Sequence, residues 1–184
     1  MNNFKSTNKI QKFLLKRFKD NNPLKQDFIK VTKINKSTVS NIINGKHHPD
    51  ILTLIKISLY FKISLDKLFK RHNDCIFSEA EQFNNKLLSL EYISINLKKF
   101  LIKELEVRKL DSSTLGLTLG FSGNPIYNFL KENSKQKILR SNLIVVLADY
   151  LEVSIDEMIG RVSLSNQKLQ QNIEKKFKEV EKTN

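Results

Sequence analysis

The sequence predicts an all-α protein made of two similar five-helix domains in tandem. Two stretches recur along the 184 residues: residues 12–18 (KFLLKRF) resemble residues 99–105 (KFLIKEL), and residues 60–69 resemble residues 150–159, at offsets of 87 and 90. Apolar residues within each copy recur at spacings of three and four, which is the period of an amphipathic helix. A repeat of this length indicates a duplicated domain, because solenoid units span about 20–50 residues.

Five helices are predicted in the first domain, and local signals mark their ends. Residues 20–23 (DNNP) end the first helix, and Gly45 suits the left-handed position that follows the third. Pro49-Asp50 opens the fourth helix and Ser64 caps the fifth. In the second domain the first helix is predicted from about Ile95, the second over about 111–119 and the third over about 124–131.

Two further helices are predicted outside the domains. Ser78-Glu79-Ala80-Glu81 has the pattern of a capping box and precedes a helical stripe, so the connector is expected to be a helix. Leu169, Ile173, Phe177 and Val180 give the last stretch an apolar face opposite charged residues. The predicted boundaries are 1–72 for domain 1, 73–95 for the helical linker, 96–163 for domain 2 and 164–184 for the C-terminal amphipathic helix.

The positive charge is concentrated in the first copy. The chain carries a net charge of +13, of which residues 1–75 supply +11 and residues 76–184 supply +2. A compositional bias of the genome toward lysine would load both copies alike. The uneven distribution therefore favours a functional surface for a polyanion.

Several classes of protein are not favoured by the sequence. No apolar run approaches the roughly 18 residues of a membrane span, and no signal peptide is evident at the N-terminus. Cys75 is the single cysteine, which fits a reducing cytoplasm. No pattern of catalytic residues is present, so no enzyme and no cofactor are expected. His72 and Cys75 are spaced like metal ligands, but a lone cysteine beside basic loops is more common than a zinc site.

Residues 25–46 carry the most specific pattern in the chain. Apolar residues at Phe28, Ile34, Val39 and Ile42 alternate with a small polar face, and Gly45-Lys46 and Pro49 follow. This segment resembles the helix-turn-helix of the lambda-repressor-like family, also called Cro/repressor or XRE, and the resemblance extends over about residues 8–71 and 96–161. The family usually has a small residue where this chain has Ile29 and glycine where it has Lys33. The second copy has Gly116 and Gly120 at these places.

The resemblance implies which side chains meet DNA. In the first copy it places Lys36, Ser37, Thr38 and Asn41 at base edges, with Asn44 on the same polar face. It places Lys25 and Gln26 on a phosphate and Lys46, His47 and His48 along the backbone. In the second copy the corresponding candidates are Asn124, Tyr127, Asn128 and Lys131, with Lys135, Lys137 and Arg140 on phosphates.

The predicted function is sequence-specific binding of double-stranded DNA by a cytoplasmic, repressor-like transcription regulator. The two copies are expected to act as a pseudo-dimer on unlike half-sites about 10 bp apart. The alternative is a protein-interaction or antitoxin-like adaptor. In that case domain 1 alone binds DNA, and domain 2 or the C-terminal helix mediates dimerisation.

Overall fold

Three residues in the first part of the chain lie close to the end or the start of a helix: Asp20, Asp50 and Ser64. The computed structural model describes residues 3–71, 89–122 and 124–161. Before the gap at 72–88 it contains α1 (Asn3–Phe18), α2 (Asn22–Thr32), α3 (Lys36–Ile43), α4 (Ile51–Tyr60) and α5 (Leu65–Leu68). After the gap it contains α6 (Leu90–Arg108), α7 (Ser112–Thr118), α8 (Pro125–Leu130), α9 (Ser141–Leu151) and α10 (Ile155–Met158). We refer to α1–α5 as the first group and to α6–α10 as the second group.

The predicted helix ends agree with the structure at the capping residues. The Asp50 carboxylate accepts a hydrogen bond of 2.7 Å from the Thr53 amide at the start of α4. The Ser64 hydroxyl accepts one of 3.0 Å from the Lys67 amide at the start of α5. Gly45 has φ +69°, the left-handed conformation expected after α3. The all-helical prediction is confirmed over the described residues, which contain no strand.

The start of the second group differs from the prediction. Its first helix was expected near Ile95, but α6 begins at Leu90. Ile93 is fully buried and so belongs to the inward face of this helix together with Leu97 and Leu101. Leu90, which the sequence places in the apolar stripe of the linker, is the first residue of α6. The predicted capping box and the C-terminal helix lie outside the described residues.

Aromatic side chains fill the first group where α1, α2 and α4 meet. The Phe28 ring stacks on Phe61 with centroids 5.7 Å apart, and meets Tyr60 edge-on at 5.0 Å. Phe18 lies 5.2 Å from Phe28, and Phe13 lies 5.1 Å from Phe61. Such offset and edge-on pairs add to the stabilisation from burial alone. The cluster holds α2 against the end of α4.

Two buried carboxylates join the two groups. Asp66, in α5, accepts hydrogen bonds from the Ser154 hydroxyl at 2.6 Å and from the Ile155 amide at 3.1 Å. Asp156, in α10, accepts one of 2.7 Å from the Leu65 amide. Asp66 and Asp156 are 90 residues apart in sequence, so each supplies the same type of contact to the other group. This reciprocity is the pattern of a two-fold interface, here within one chain.

Two buried arginines neutralise these carboxylates. Arg71 forms an ion pair with Asp66 and a second one with Asp149 of α9 at 2.7 Å. Arg161 pairs with Asp156 at 3.0 Å, and it donates a hydrogen bond of 2.6 Å to the Ser58 hydroxyl of α4. Because each charge is both paired and hydrogen-bonded, the penalty for burying it is partly offset. The cluster therefore fixes the pose of one group relative to the other.

Candidate nucleic-acid interface

The start of α2 is set by local hydrogen bonding and by proline. The Asn21 side chain accepts a hydrogen bond of 3.0 Å from the Leu24 amide, and Pro23 occupies the first turn, where no amide donor is needed. Lys25 and Gln26 follow directly. Lys25 is half-buried and Gln26 is exposed. Both predicted phosphate-binding residues thus lie in the first turn of α2.

The turn between α2 and α3 adopts a left-handed conformation without glycine. Lys33 has φ +53°, and its amide donates a hydrogen bond of 3.0 Å to the Ile29 carbonyl. The Thr32 hydroxyl donates to the Phe28 carbonyl at 2.7 Å and accepts from the Ile34 amide at 3.4 Å. These hydrogen bonds stabilise the turn between α2 and α3. Lys33 therefore makes the turn where the family usually has glycine.

The third helix divides into a buried side and a polar side. Val39 and Ile42 are 1% exposed and anchor α3 to the core. Four of the predicted DNA-binding residues on this helix and its cap have exposed side chains: Lys36, Ser37, Asn41 and Asn44. Thr38 is half-buried. The Asn44 amide donates to the Ser40 hydroxyl at 3.4 Å, which orients it along the helix.

The segment after α3 contains one exposed and one partly buried histidine. Lys46 and His47 are exposed, as a contact with the DNA backbone requires. His48 is partly buried, and this burial, followed by the positive charge of His47, lowers its pKa. The lowered pKa disfavours the charged imidazolium of His48, so His48 is a weaker candidate for a phosphate contact than its exposed neighbours. Lys46 and His47 remain the candidates here.

The corresponding turn of the second group uses glycine. Asp111 accepts a hydrogen bond of 2.8 Å from the Thr114 amide and caps α7. Gly120 has φ +77°, so it occupies the place that Lys33 occupies in the first group. Gly116 is buried, but a Cβ added there would lie 3.7 Å from the Pro125 ring, an ordinary contact. Hence the packing of α7 against α8 does not require glycine itself at this position, since a Cβ would fit.

The helix α8 presents a different surface from α3. Ile126 and Phe129 are buried, as Val39 and Ile42 are in α3. Asn124 precedes α8 in a left-handed conformation, and Pro125 fills the first position without a donor. Tyr127 is 46% exposed, and Asn128 is also exposed. The helix itself contains no lysine or arginine, and the cations follow it at Lys131, Lys135, Lys137 and Arg140, all exposed.

Neither a metal site nor a membrane span is found among the described residues. Within them, no group of three or more histidine, cysteine, aspartate or glutamate residues is placed to hold a metal ion. Likewise, none of the helices described is long and apolar enough to cross a membrane. His72 and Cys75, which were considered as metal ligands, lie outside the described residues.

Sequence reasoning missed the residues that join the two groups. Asp66 and Asp156 lie within the repeated stretches 60–69 and 150–159, and they are 1% and 0% exposed and hydrogen-bonded across the interface. A signal was present in the sequence. Each aspartate follows a capping serine by two residues and precedes an arginine by five, in both groups.

Comparison with known proteins supports the helix-turn-helix in the first group. Residues 25–68 match the family model described as Helix-turn-helix, which covers α2 to α5 and about a quarter of the chain. The match supports DNA binding and transcription regulation. It does not extend to the second group. No match was found among curated proteins or among solved structures.

Proposed function

We propose that this protein is a sequence-specific, repressor-type transcription regulator of the cytoplasm that binds double-stranded DNA as an intrachain pseudo-dimer. In this proposal α3 enters the major groove and reads bases with Lys36, Ser37 and Asn41, while Thr38 packs at the groove edge. Lys25, Gln26, Lys46 and His47 hold the backbone on either side. The observation that carries the proposal is the polar, exposed face of α3 on a buried Val39–Ile42 base, within the strongly basic part of the chain.

The reciprocal interface supports the pseudo-dimer. Proteins of the helix-turn-helix type commonly present two recognition helices to successive major-groove segments through two-fold symmetry. Here Asp66 and Asp156 give one chain the reciprocal contacts that a dimer would otherwise supply. The second group would then contact an unlike half-site with Tyr127, Asn128 and Lys131. Asn124 and Lys135 would lie at its edges.

A second function is favoured by the composition of α8. Its outward face has an exposed tyrosine and no cation, and residues 76–184 carry a net charge of only +2. In this alternative the second group is a scaffold or a protein-interaction module of antitoxin-like type. The first group alone reads DNA, and a homodimer forms through the second group or the C-terminal stripe.

Selection of bound duplexes from a random DNA pool, at two salt concentrations and with the intact protein, separates these functions. An enriched site with two unlike half-sites about one turn apart is expected for the pseudo-dimer. A single half-site or a palindrome would favour the alternative. Binding to every duplex with no enrichment would contradict both forms of sequence-specific regulation.

A further inference from the structure

Five cations form a continuous basic band on the first group, beside the helix-turn-helix but outside its predicted contacts. The band consists of Lys12, Lys16, Arg17, Lys19 and Lys70. A surface cavity of about 580 Å³ is lined by Lys12, Lys16, Arg17 and Lys70 and by no acidic residue. Each of these four side chains is exposed.

The basic band reaches the helix-turn-helix itself. A second hollow of about 430 Å³ is lined by Lys16 and Lys19 of the band together with Lys25 of α2 and Ile43 at the end of α3. Lys16 lines both hollows. Through Lys16, the two hollows link the predicted phosphate contact at Lys25, across α1, to Lys70.

The cations of the band are available to a ligand. Arg17 lies 5.5 Å from the Phe13 ring centroid and 5.6 Å from that of Phe61, so its guanidinium is held on aromatic faces. Within the part of the chain that the structure describes, no ion pair joins any of the five cations to a carboxylate. Their charge is thus not neutralised by neighbours.

The second group shows that the fold does not require these cations. The sequence offset places Lys99 and Lys103 where the first group has Lys12 and Lys16, but Glu104 and Glu106 where it has Arg17 and Lys19. Gly160 stands in place of Lys70. Glu104 is itself engaged by Arg108 at 2.9 Å. A uniform lysine bias does not explain a band that is present on one group and broken on the other.

We propose that the basic band binds the phosphates of duplex DNA that flanks the half-site of the first group. This inference rests on the proposed DNA-binding function and extends it to a contact surface outside the recognition helix. Phosphodiester oxygens are the expected ligand because the band continues directly from the first turn of α2. The contact is independent of base sequence, and it anchors the first group more firmly than the second.

Duplex length and salt dependence test the band. Affinity is measured for the selected duplex with and without about 10 extra base pairs beyond the first group's half-site, between about 50 and 200 mM salt. Three contacts add about 2.7 to the slope of log K against log salt, which is roughly a 40-fold larger loss of affinity over this range. The triple variant Lys12→Gln, Lys16→Gln, Lys70→Gln is expected to lose both the length advantage and this part of the slope.

A matched control removes the same charge from the second group. The variant Lys99→Gln, Lys103→Gln, Lys109→Gln, and an extension at the opposite end of the duplex, should leave the length advantage unchanged. Equal affinity of wild type and triple variant for the long duplex would overturn the proposal. So would an equal loss on short and long duplexes, since the cations would then contact the core site. If the protein selects no sequence, random duplexes of both lengths replace the site. A smaller slope of log K against log salt in the triple variant, but not in the control variant, would then support the band while the site-specific function fails.

Discussion

Asn41 lies on the exposed face of α3, one residue before the buried Ile42 and two after the buried Val39. The anchoring of its neighbours fixes the direction in which the amide points. An asparagine side chain can donate its N–H to adenine N7 and accept a hydrogen bond from the adenine N6 amino group through its carbonyl oxygen. A residue in this position is suited to reading one base pair.

Replacement Asn41→Ala is expected to weaken binding to the selected site by about 1–3 kcal/mol and to relax the preference at one base position. The measurement is the dissociation constant on the selected duplex and on its three variants at that position. Asn128→Ala on α8 is the matched comparison. An unchanged base profile in Asn41→Ala, with normal thermal unfolding, would contradict the assignment of Asn41 as a reader.

Backbone conformation, rather than a side-chain contact, sets the geometry of the turn between α2 and α3. Lys33 holds φ +53° because its amide bonds the Ile29 carbonyl. A left-handed conformation costs a residue with a Cβ about 1–2 kcal/mol. The fold tolerates this conformational cost at Lys33 because the turn sets the angle between α2 and α3.

Lys33→Gly should therefore raise the free energy of unfolding by about 1 kcal/mol, since the relief of strain exceeds the added chain entropy. Lys30→Gly, in the interior of α2, is the matched control and should lower it by about 1 kcal/mol. Urea denaturation of both variants provides the comparison. Destabilisation by Lys33→Gly would show that the lysine side chain itself supports the turn.

Helix ends were predictable from sequence because their causes are local. Ser64, Asp50 and Gly45 each act within four residues, and each was placed correctly. The start of α6 was not, because Ile93 belongs to a stripe that begins before the repeat does. The polar face of α3 was also predictable, since a short pattern and a family resemblance specify it. The partial burial of His48 was not predictable, because it depends on packing beyond the segment.

At the scale of the molecule, the interface between the groups could not be derived from periodicity. Asp66 bonds Ile155, which lies 89 residues away along the chain. An acid in the first turn of a short helix ordinarily faces solvent, and no local signal distinguishes one that is buried. The recurrence of serine, aspartate and arginine at fixed spacing in both groups would have been the clue.

Asp156 should give the protein a pH-dependent stability. Burial, the largest cause, raises the pKa of Asp156 to about 7 in spite of Arg161. A carboxyl whose pKa is raised in the folded state contributes stability that is fully present below its unfolded value near 3.8 and is lost as pH rises through about 7. As pH rises from about 4 to about 7, Asp156 should therefore lower the free energy of unfolding, by at most about 1.4 kcal/mol per pH unit.

The comparison of wild type with Asp156→Asn isolates this contribution. Two other groups also make the stability depend on pH. The pKa of Glu157 is raised chiefly by burial, so Glu157, like Asp156, lowers the free energy of unfolding as pH rises. The pKa of His48 is lowered, so His48 raises the free energy of unfolding as pH rises. Both remain in the variant, so the difference between the two unfolding free energies reports Asp156. That difference should decrease from pH 5 to pH 8. A difference independent of pH would contradict the raised pKa.

The buried cluster also predicts how the protein responds to the spacing of half-sites. Asp66 accepts hydrogen bonds from Ser154 and Ile155, and Asp156 accepts one from Leu65. These bonds fix one group against the other, so the two recognition helices cannot follow half-sites that are moved apart. Inserting about 5 bp at the centre of the selected site turns one half-site to the opposite face of the duplex. Inserting about 10 bp restores the face but shifts the half-site by about 34–36 Å. Both insertions should reduce affinity at least tenfold, because several base contacts of about 1–3 kcal/mol each are lost.

The same insertions outside the site are the control. Recovery of binding with the full-turn insertion would mean that the groups separate on DNA, and the pseudo-dimer would then be a flexible tandem.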